Sequence, residues 1–396
     1  MPDRTADPLP GSPWLSAYST PTPQDPAIDA LVAALPKVSL HCHLLGTVSA
    51  ATVVDLARKH RVDLGGRTTE TLYDHHGYED LGEFLRVLDV VGSVVRDVED
   101  FHQITYESLT EGGAAHGVLY REIHLSPPGH PGVPYARLLA GVVAGIQDAR
   151  ADSGIEARLV VGINRERSGA EARRLVEEVI EHRIDEVVGI GLDYAEVNGP
   201  PGRFVEAFQL AGRAGLERTA HSESGPPGHV LTLLDELGCS RVDHGYHVVD
   251  DPEITARCAD EQIPFTCTPV SSDIGRYSGS GDGSHLRIKE MVDAGLRVTI
   301  DSDDPPMFGT DPTHDFRVLA HALGYGRDQL AAFTDNAVEA CWLDETDKAA
   351  LRRRVDAALA AIPSTVTTTD PHLDRHPDPY PGPHPGRHRV PAPRRG

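Results

Sequence analysis

The amino-acid sequence predicts an α/β protein that folds as a single (β/α)8 TIM-type barrel with additional helices. Eight short apolar segments have the length of buried strands, and helical sequence separates each of them from the next. This alternation favours parallel strands that are joined by right-handed helical crossovers. Eight such units are the number that closes a barrel, and 396 residues are enough for one large core.

The predicted strands are short runs rich in Val, Ile and Leu that end in polar or glycine-containing turns. They cover residues 37–42, 118–124, 157–163, 186–192, 217–221, 241–245, 263–267 and 297–301. The predicted helices have apolar residues at helical spacing. They cover residues 26–35, 50–59, 82–95, 97–115, 135–150, 170–182, 202–214, 227–237, 252–261, 286–294, 316–323, 327–340 and 346–361. Gly215 and Gly238 follow two of these helices, as C-cap glycines do.

The two ends of the chain differ in composition from the predicted barrel. Residues 1–26 are rich in Pro, Ser, Thr and Asp, and residues 363–396 are rich in Pro, His and Arg. Such sequence buries too little apolar surface to order the chain, so we expect both ends to be disordered and the barrel to occupy residues 27–362. The histidines of the tail could bind metal, although composition favours a solvated low-complexity segment. The glycine-rich segment 277–283 is interpreted as a flexible loop, because no Lys-Ser/Thr pair follows it.

Charge and cysteine content narrow the classes of partner. Asp and Glu number 60 against 37 Lys and Arg, a formal net charge of −23. This balance argues against nucleic acid or an anionic membrane as the main partner, whereas a small-molecule substrate is compatible with it.

The 5 cysteines are scattered and include no C-x-x-C pair, so we expect reduced thiols in a cytoplasmic protein. We find neither an apolar signal segment nor a membrane-length apolar run, and the sequence does not indicate an oligomeric state.

Histidines and aspartates stand at the ends of several predicted strands. His41 and His43 close the first strand, where alternate residues face the same side and can approach one point. His221 ends the fifth strand, His244 the sixth, and residues 301–304 follow the eighth. In a barrel the C-terminal ends of the strands meet at one rim. Three histidines and a carboxylate suit a zinc ion that keeps a bound water, whose pKa zinc lowers from 15.7 to about 7.

A histidine elsewhere in a strand has a simpler interpretation. His124 lies near the end of the second predicted strand, within an otherwise apolar stretch. A lone histidine of this kind is usually a packed core residue, and we interpret His124 in that way.

Six segments carry polar residues in a fixed order along the chain. They are K-V-S-L-H-C-H-L at 37–44, Y-R-E-I-H-L-S-P at 120–127, G-I-G-L-D-Y-A-E at 189–196, T-A-H at 219–221, R-V-D-H-G at 241–245 and V-T-I-D-S-D-D-P at 298–305. In order and spacing these segments resemble the adenosine deaminase family, a branch of the metal-dependent amidohydrolase barrels. The resemblance runs from about residue 36 to residue 361 and implies the same fold that the strand pattern predicts.

The resemblance also implies roles for individual residues. It implies one Zn²⁺ per chain, with Asp303 belonging to the catalytic centre as a zinc ligand. The implied ligand set is His41, His43, His221 and Asp303. His244 would orient the reactive water, and Asp304 would hydrogen-bond a ring nitrogen of a purine-like substrate.

The chain departs from the family pattern at two positions that bear on the sugar. The family motif H-x-H-L-D-G has an aspartate that contacts ribose, whereas this chain has Leu45 there. An apolar side chain cannot accept a hydroxyl hydrogen bond. After the fourth strand the family has a small residue where this chain has Tyr194, before Glu196. We expect Leu45 and Tyr194 to line the substrate pocket and to alter recognition of the sugar.

A third departure concerns the proton donor. The family reads H-A-G-E after its strand-five histidine, and its glutamate protonates the purine ring. This chain reads H-S-E-S-G-P-P from His221, which is one residue shorter before the Gly-Pro. Alignment without a gap places Ser224 at the position of the acid, and alignment on Gly-Pro-Pro places Glu223 there. We favour Glu223, because serine is a poor acid and general-acid help contributes about 10²–10⁴-fold to the rate.

These patterns support zinc-dependent hydrolytic deamination of adenosine, adenine or a related aminopurine or nucleoside, with release of ammonia. One alternative is zinc-dependent hydrolysis of a different C–N bond, which would accommodate an altered acid. Another is a catalytically impaired family member. The cytidine-type zinc deaminases are excluded, since they use P-C-x-x-C and this sequence has none.

Overall fold

A parallel barrel forms the centre of the molecule. The computed structural model describes residues 25–73, 78, 80–274 and 284–363. Its strands are β1 Lys37–His43, β2 Val118–Leu125, β3 Glu156–Asn164, β4 Val187–Asp193, β5 in two segments Glu217–Arg218 and His221–Ser222, β6 Val242–His244, β7 Pro264–Cys267 and β8 Arg297–Ile300. Each strand pairs in parallel with the next one along the chain.

The barrel closes where β1 meets the segment that follows β8. Cys42 and Asp303 form an isolated parallel bridge. The amide N–H of His43 donates to the carbonyl oxygen of Asp303 at 3.0 Å, and the N–H of Asp303 donates to the carbonyl of His41 at 3.3 Å. The carboxylate of Asp301 accepts the N–H groups of Leu40 at 2.6 Å and His41 at 3.0 Å. The prediction of a (β/α)8 barrel is therefore confirmed.

Helices cover the outside of the barrel and continue after β8. They span Pro26–Ala34, Ala50–His60, Leu81–Val94, Val98–Thr110, Tyr135–Ser153, Gly169–Glu181, Val205–Arg213, Gly228–Leu231, Pro252–Asp260, Pro269–Ile274, Ser284–Asp293, Pro305–Phe308, Pro312–Leu323, Arg327–Ala340 and Glu345–Ala361. Within the described ranges, we find no helix with the length and apolar character that crossing a membrane requires.

Several observed elements differ from the sequence-based expectation. The helix expected over 97–115 ends at Thr110, because Gly112 and Gly113 follow and lie against the carbonyls of Ser108 and Leu109, where a Cβ would clash. The two short helices Pro269–Ile274 and Pro305–Phe308 were not predicted, since 6 and 4 residues are too few to show helical periodicity. The expected disordered segments 1–26 and 363–396 lie outside the described residues, except at their inner boundaries, and so does the loop 277–283.

A buried ion pair joins three strands to the C-terminal part of the chain. Nη1 of Arg241 lies 2.7 Å from Oε2 of Glu122, and both side chains are fully buried. Nη2 of Arg241 donates to the carbonyl of Leu40 at 3.3 Å, and its guanidinium lies 3.9 Å from the ring centroid of Trp342. The other oxygen of Glu122 accepts from the hydroxyl of Tyr120 at 3.0 Å and from the N–H of Trp342 at 2.7 Å. The pair thus links β1, β2 and β6 through charge-assisted bonds.

We expect Glu122→Ala to destabilise the fold by about 3–5 kcal/mol, because it leaves the Arg241 guanidinium buried without its partner. Denaturant unfolding of the zinc-loaded protein measures the effect. Glu177→Ala is the matched control, since it breaks an exposed Arg173–Glu177 pair of 3.1 Å that contributes about 1 kcal/mol or less. Equal, small shifts for both variants would contradict the role assigned to the buried pair.

Candidate active site

A cavity opens at the C-terminal ends of the strands, where the sequence predicts the active site. Its volume is about 380 Å³, within the range typical of small-molecule sites. One side is apolar and comes from helix Leu81–Val94, with Leu81, Phe84, Leu85 and Leu88. The other side is polar and follows the strand ends. Its residues are His43, Ser126, Asp193, Tyr194, Glu196, His221, Glu223, Ser224, His244, Asp303 and Asp304.

The predicted zinc ligands converge at the floor of this cavity. Nε2 of His43 lies 3.2 Å from Nε2 of His221 and 3.3 Å from Oδ1 of Asp303. Nε2 of His41 lies 3.2 Å from the same carboxylate oxygen. Donor atoms of His41, His221, His244 and Asp303 all lie within 4.8 Å of one another. The barrel therefore places the four predicted ligands around one point, with His244 beside them.

Two aspartates that the sequence analysis did not single out lie behind the histidines. Oδ1 of Asp243 lies 3.3 Å from Nδ1 of His41, and its Oδ2 lies 3.7 Å from Nδ1 of His221. Oδ1 of Asp193 lies 3.6 Å from Nδ1 of His221. Carboxylates at this position hold the other ring nitrogen of a ligating histidine and raise its basicity. Each aspartate lies at or near the end of a predicted strand, which is the signal that the sequence offers. The sequence does not indicate which histidine either aspartate contacts.

The electrostatics of the floor favour a positive charge. Burial lowers the pKa of His43, but its interactions with the carboxyl groups of Asp304, Asp303 and Asp193 raise it to about 9. Burial likewise opposes protonation of His41, yet Asp243 and Asp303 hold its pKa well above the ordinary value. Burial raises the pKa of Asp303, but its bonds to these two histidines place it well below the usual range. When the imidazoles are neutral, the carboxylates therefore leave an excess of negative charge at the floor of the cavity.

A zinc ion fits this donor set. Imidazole nitrogen and carboxylate oxygen are ordinary zinc ligands, and three histidines with one carboxylate match a catalytic site that keeps a position open. A divalent cation would also neutralise the excess carboxylate charge described above. Nδ1 of His221 and Oδ2 of Asp243 are buried and lack hydrogen-bond partners of good geometry within the described part of the chain. A metal ion bound to the other nitrogen of His221 would fix the ring so that Nδ1 can donate to a carboxylate.

Asp304 lies beside Asp303 and is expected to be uncharged. Burial and the neighbouring Asp303 charge raise the pKa of Asp304 well above its ordinary value. Its Oδ1 packs so closely on Gly46 that a Cβ there would overlap the carboxyl group. A neutral carboxyl group on the cavity wall can donate a hydrogen bond, whereas an ionised one only accepts. The glycine of the His-x-His-Leu-Leu-Gly segment thus makes room for this group.

Glu223 points into the cavity, close to His244. Burial raises the pKa of the Glu223 carboxyl group well above its ordinary value, as a general acid requires. Its Oε1 accepts a hydrogen bond from the Ser272 hydroxyl at 2.6 Å and lies 3.6 Å from Nδ1 of His244. Burial and the charge of His41 lower the pKa of His244 to about 3, so its ring is neutral. Ser224 also lines the cavity.

Glu196 and Arg165 hold the short segment that carries Glu223. The carboxylate of Glu196 accepts the backbone N–H of Glu223 in a short hydrogen bond and that of Ser224 at 3.3 Å. The buried guanidinium of Arg165 donates to the carbonyl of His221 at 2.8 Å and lies 3.9 Å from Glu196. The segment is therefore anchored through its backbone on both sides. Arg165 was not predicted as a site residue, because nothing in the sequence marks an arginine after β3 as buried.

Left-handed backbone conformations occur at three residues of the site. The φ angles are +73° at Tyr194, +62° at His244 and +61° at Asp303. Such angles are unfavourable for side chains other than glycine, asparagine and aspartate. Strained residues of this kind persist where the surrounding structure over-determines them, often at functional sites. Tyr194 directly follows β4, His244 ends β6, and Asp303 lies three residues after β8 at the bridge to Cys42; all three side chains line the cavity.

The two residues expected to alter sugar recognition occupy different places. Tyr194 lines the cavity, as expected. Leu45 is 4% exposed and is not among the described residues that line the cavity; it packs beneath Gly92 and Gly129. The expectation of direct substrate contact by Leu45 is therefore wrong in this structure. The physical reason is that the turn after His43 forms a 3-10 helix, Leu45–Thr47, which buries the leucine in the core.

His124 packs against two of the predicted zinc ligands. Its ring centroid is 4.7 Å from that of His41 and 5.0 Å from that of His43, and it is 1% exposed. Burial lowers its pKa, so the ring is neutral. Its Nδ1 lies 3.7 Å from Asp193. This placement agrees with a packed histidine in the barrel interior.

Comparison with known proteins identifies the family. The chain matches the family model for adenosine deaminase over residues 36–358. It is 32% identical to an adenine deaminase of Vibrio parahaemolyticus over 336 residues, 84% of this chain and 98% of that protein. It is 33% identical to an adenine deaminase of Streptomyces coelicolor over 336 residues, 84% and 97% of the two chains.

Solved structures agree with this assignment. A zinc-bound amidohydrolase of Burkholderia ambifaria superposes with a TM-score of 0.79 at 34% identity, covering 88% of this chain and 96% of that one. The adenine deaminase of Arthrobacter aurescens gives a TM-score of 0.78 at 29% identity, covering 83% and 100%. The chain belongs to the adenosine deaminase family and is a zinc-dependent aminohydrolase of that family.

Proposed function

We propose that the protein hydrolyses the exocyclic amine of adenine, the free base, in preference to that of adenosine. The observation that carries this proposal is the side chain at position 45: a buried leucine stands where the family places its ribose-binding aspartate. Tyr194 adds bulk to the cavity wall near Leu45: the Tyr194 hydroxyl and the Leu45 side chain both lie close to Gly129. Adenine deaminases among the relatives at 32–33% identity support the same substrate.

The charge of the cavity favours a substrate without phosphate. Carboxyl groups line it at six positions among the described residues. They are Asp80, Asp193, Glu196, Glu223, Asp303 and Asp304. Placing a phosphate dianion beside the ionised members of this set, such as Asp193 and Asp303, would cost repulsion that a neutral purine base does not incur. The nucleotide-bound members of the fold, such as an IMP complex at 22% identity, share its architecture alone.

Catalysis is assigned to groups around the cavity floor. His41, His43, His221 and Asp303 would hold the zinc ion, which supplies a water of lowered pKa as nucleophile when it is bound. The neutral His244 ring, beside these ligands, would orient that water and take up its proton. Asp193 and Asp243 would keep the ligand histidines in place.

The remaining groups would act on the purine ring. Asp304, held in its uncharged form, would donate a hydrogen bond to a ring nitrogen. Glu223 would give its proton to the ring nitrogen next to the reacting carbon. The water oxygen would then add to that carbon, and the amine would leave as ammonia after it receives the proton that His244 took from the water. The apolar face of Leu81, Phe84, Leu85 and Leu88 would cover the ring and exclude bulk water.

We also propose a cytoplasmic location. Cys42, Cys239, Cys258, Cys267 and Cys341 are all buried free thiols in the structure. Free thiols are typical of reducing compartments. The main partner that we propose is the small purine substrate.

We expect the zinc-loaded protein to release ammonia from adenine with a kcat/KM at least about tenfold above that for adenosine, because the sugar gains no hydrogen bond at Leu45. A coupled ammonia assay over both compounds measures the ratio. Tyr194→Gly relieves the left-handed strain and removes the phenol, so it should raise the adenosine-to-adenine ratio. Faster turnover of adenosine by the unaltered protein would contradict the substrate assignment. Silence on both compounds would favour hydrolysis of a different C–N bond.

His43→Ala should lower the zinc content of the purified protein well below one ion per chain, because it removes one of four ligands. Metal analysis after dialysis against a weak chelator measures the content. His102→Ala is the control, since His102 pairs with Asp148 on the outer surface at 2.8 Å. Full zinc content in the His43 variant would remove His43 from the ligand set.

Glu223→Gln should lower kcat by about 10²-fold or more, because an amide cannot donate a proton as an acid does. Ser224→Ala is the matched control from the competing alignment and should keep kcat within a few-fold. Steady-state kinetics on adenine, at confirmed zinc content, measures both. The opposite ranking of the two variants would assign the acid to position 224.

A further inference from the structure

Two of the proposed catalytic groups are linked through hydroxyl groups that the mechanism above does not use. Nδ1 of His244 and Oε1 of Glu223 are 3.6 Å apart, which is too long for a direct hydrogen bond. Oγ1 of Thr268 lies 3.2 Å from that ring nitrogen, and Oγ of Ser272 lies 2.6 Å from that carboxyl oxygen. The two hydroxyls are 3.0 Å from each other. An unbroken chain of contacts therefore runs from the imidazole to the carboxyl group.

Local structure fixes both hydroxyls in the chain. Thr268 directly follows β7, and Ser272 lies four residues later, where the N–H of Ser272 donates to the carbonyl of Thr268 at 3.0 Å. Residues four apart on a helical turn share a face. Both side chains are fully buried. The hydroxyl oxygen of Tyr246 accepts the N–H of Thr268 at 2.8 Å and lies 3.0 Å from the Ser272 hydroxyl, so it supports the pair from behind.

The direction of the bonds follows from counting protons. A hydroxyl has one proton to donate and two lone pairs to accept with. When Oε1 of Glu223 is an acceptor, Ser272 uses its only proton on it and must accept from Thr268. Thr268 then has no proton left for His244 and must accept one from Nδ1. The same order holds for an ionised carboxylate and for a carboxyl group with its proton on Oε2.

This order has two consequences for catalysis. It makes His244 the Nδ1–H tautomer, so the Nε2 lone pair stays free to accept from the water that a zinc ion would bind. Because Oε1 of Glu223 accepts the Ser272 proton in this order, the acidic proton has its place on Oε2, the oxygen left for the substrate. A partner that sets the tautomer of a catalytic histidine has a large effect on rate in other hydrolases.

We propose that Thr268 and Ser272 are positioning residues that form a hydroxyl bridge between His244 and Glu223 and hold His244 as the Nδ1–H tautomer. The inference rests on the proposed function, because it takes His244 as the proton acceptor and Glu223 as the proton donor. The bridge acts through these two side chains and does not touch the substrate.

Thr268→Val tests the bridge, since valine has nearly the same shape and no hydroxyl. We expect kcat on adenine to fall about tenfold or more with KM and zinc content unchanged. Thr268→Ser restores the hydroxyl and should recover most of the activity. Thr334→Val is the control: Thr334 is a buried threonine whose hydroxyl donates to the carbonyl of Pro36 at 2.9 Å, away from the cavity. An unchanged kcat in Thr268→Val, or no recovery with serine, would overturn the proposal.

A spectroscopic measurement tests the tautomer without any turnover. In zinc-loaded protein with ¹⁵N-labelled histidine, the His244 signals are assigned by their loss in His244→Asn. We expect Nδ1 to be protonated and Nε2 to be unprotonated, and we expect Thr268→Val to shift both signals. A protonated Nε2 in the unaltered protein would overturn the proposal. If the protein does not deaminate adenine, the proposed function fails, and this measurement still decides whether the bridge sets the tautomer.

Discussion

The pairing that closes the barrel also brings together His41, His43 and Asp303, three of the four predicted zinc ligands. Where Cys42 meets Asp303, backbone hydrogen bonds join the end of β1 to the segment after β8. The two histidines that flank Cys42 project to the same side of the strand, and the carboxylate of Asp303 lies 3.2 and 3.3 Å from their Nε2 atoms. A shift of one residue in this pairing would turn both imidazoles away from the cavity. The register of this pairing therefore determines both how the barrel closes and where the predicted ligands lie.

Burial of this much charge depends on how the groups are paired. Asp193, Asp243 and Asp303 lie around neutral or protonated imidazoles, and their pKa values stay below the usual range because those rings offset the cost of burial. For Glu223 burial outweighs the nearby imidazoles, and for Asp304 burial and the Asp303 charge do so, and the pKa values of both groups are therefore raised. Neighbouring carboxyl groups thus divide into ionised acceptors beside the histidines and protonated groups that can donate a hydrogen bond. Separation of this kind assigns acid and base roles within one small cavity.

The sequence could predict the strands, the barrel and the meeting of His41, His43, His221 and Asp303 at one rim, because each depends on periodicity and on where strand ends lie in a barrel. It could not predict the side-chain environment of Leu45, since a 3-10 turn buries that residue. It left Glu223 and Ser224 open as alternatives, because one missing residue shifts the alignment; both side chains line the cavity in the structure, and they differ in their contacts. Thr268 and Ser272 gave no signal, since hydroxyl residues are common after strands and their value here comes from contacts across β5, β6 and β7.

Chemistry and recognition use different parts of the barrel. The ligand and proton-transfer groups come from the ends of β1, β5, β6 and β7 and from the segment after β8, which the parallel hydrogen bonds hold rigidly. The surface that would meet the rest of the substrate comes from helix Leu81–Val94 and from the turn after β4. None of the four predicted zinc ligands lies in these two elements. Tyr194, in the turn after β4, and Leu45, buried beneath the helix at Gly92, can therefore alter which substrate fits while the predicted ligands stay in place.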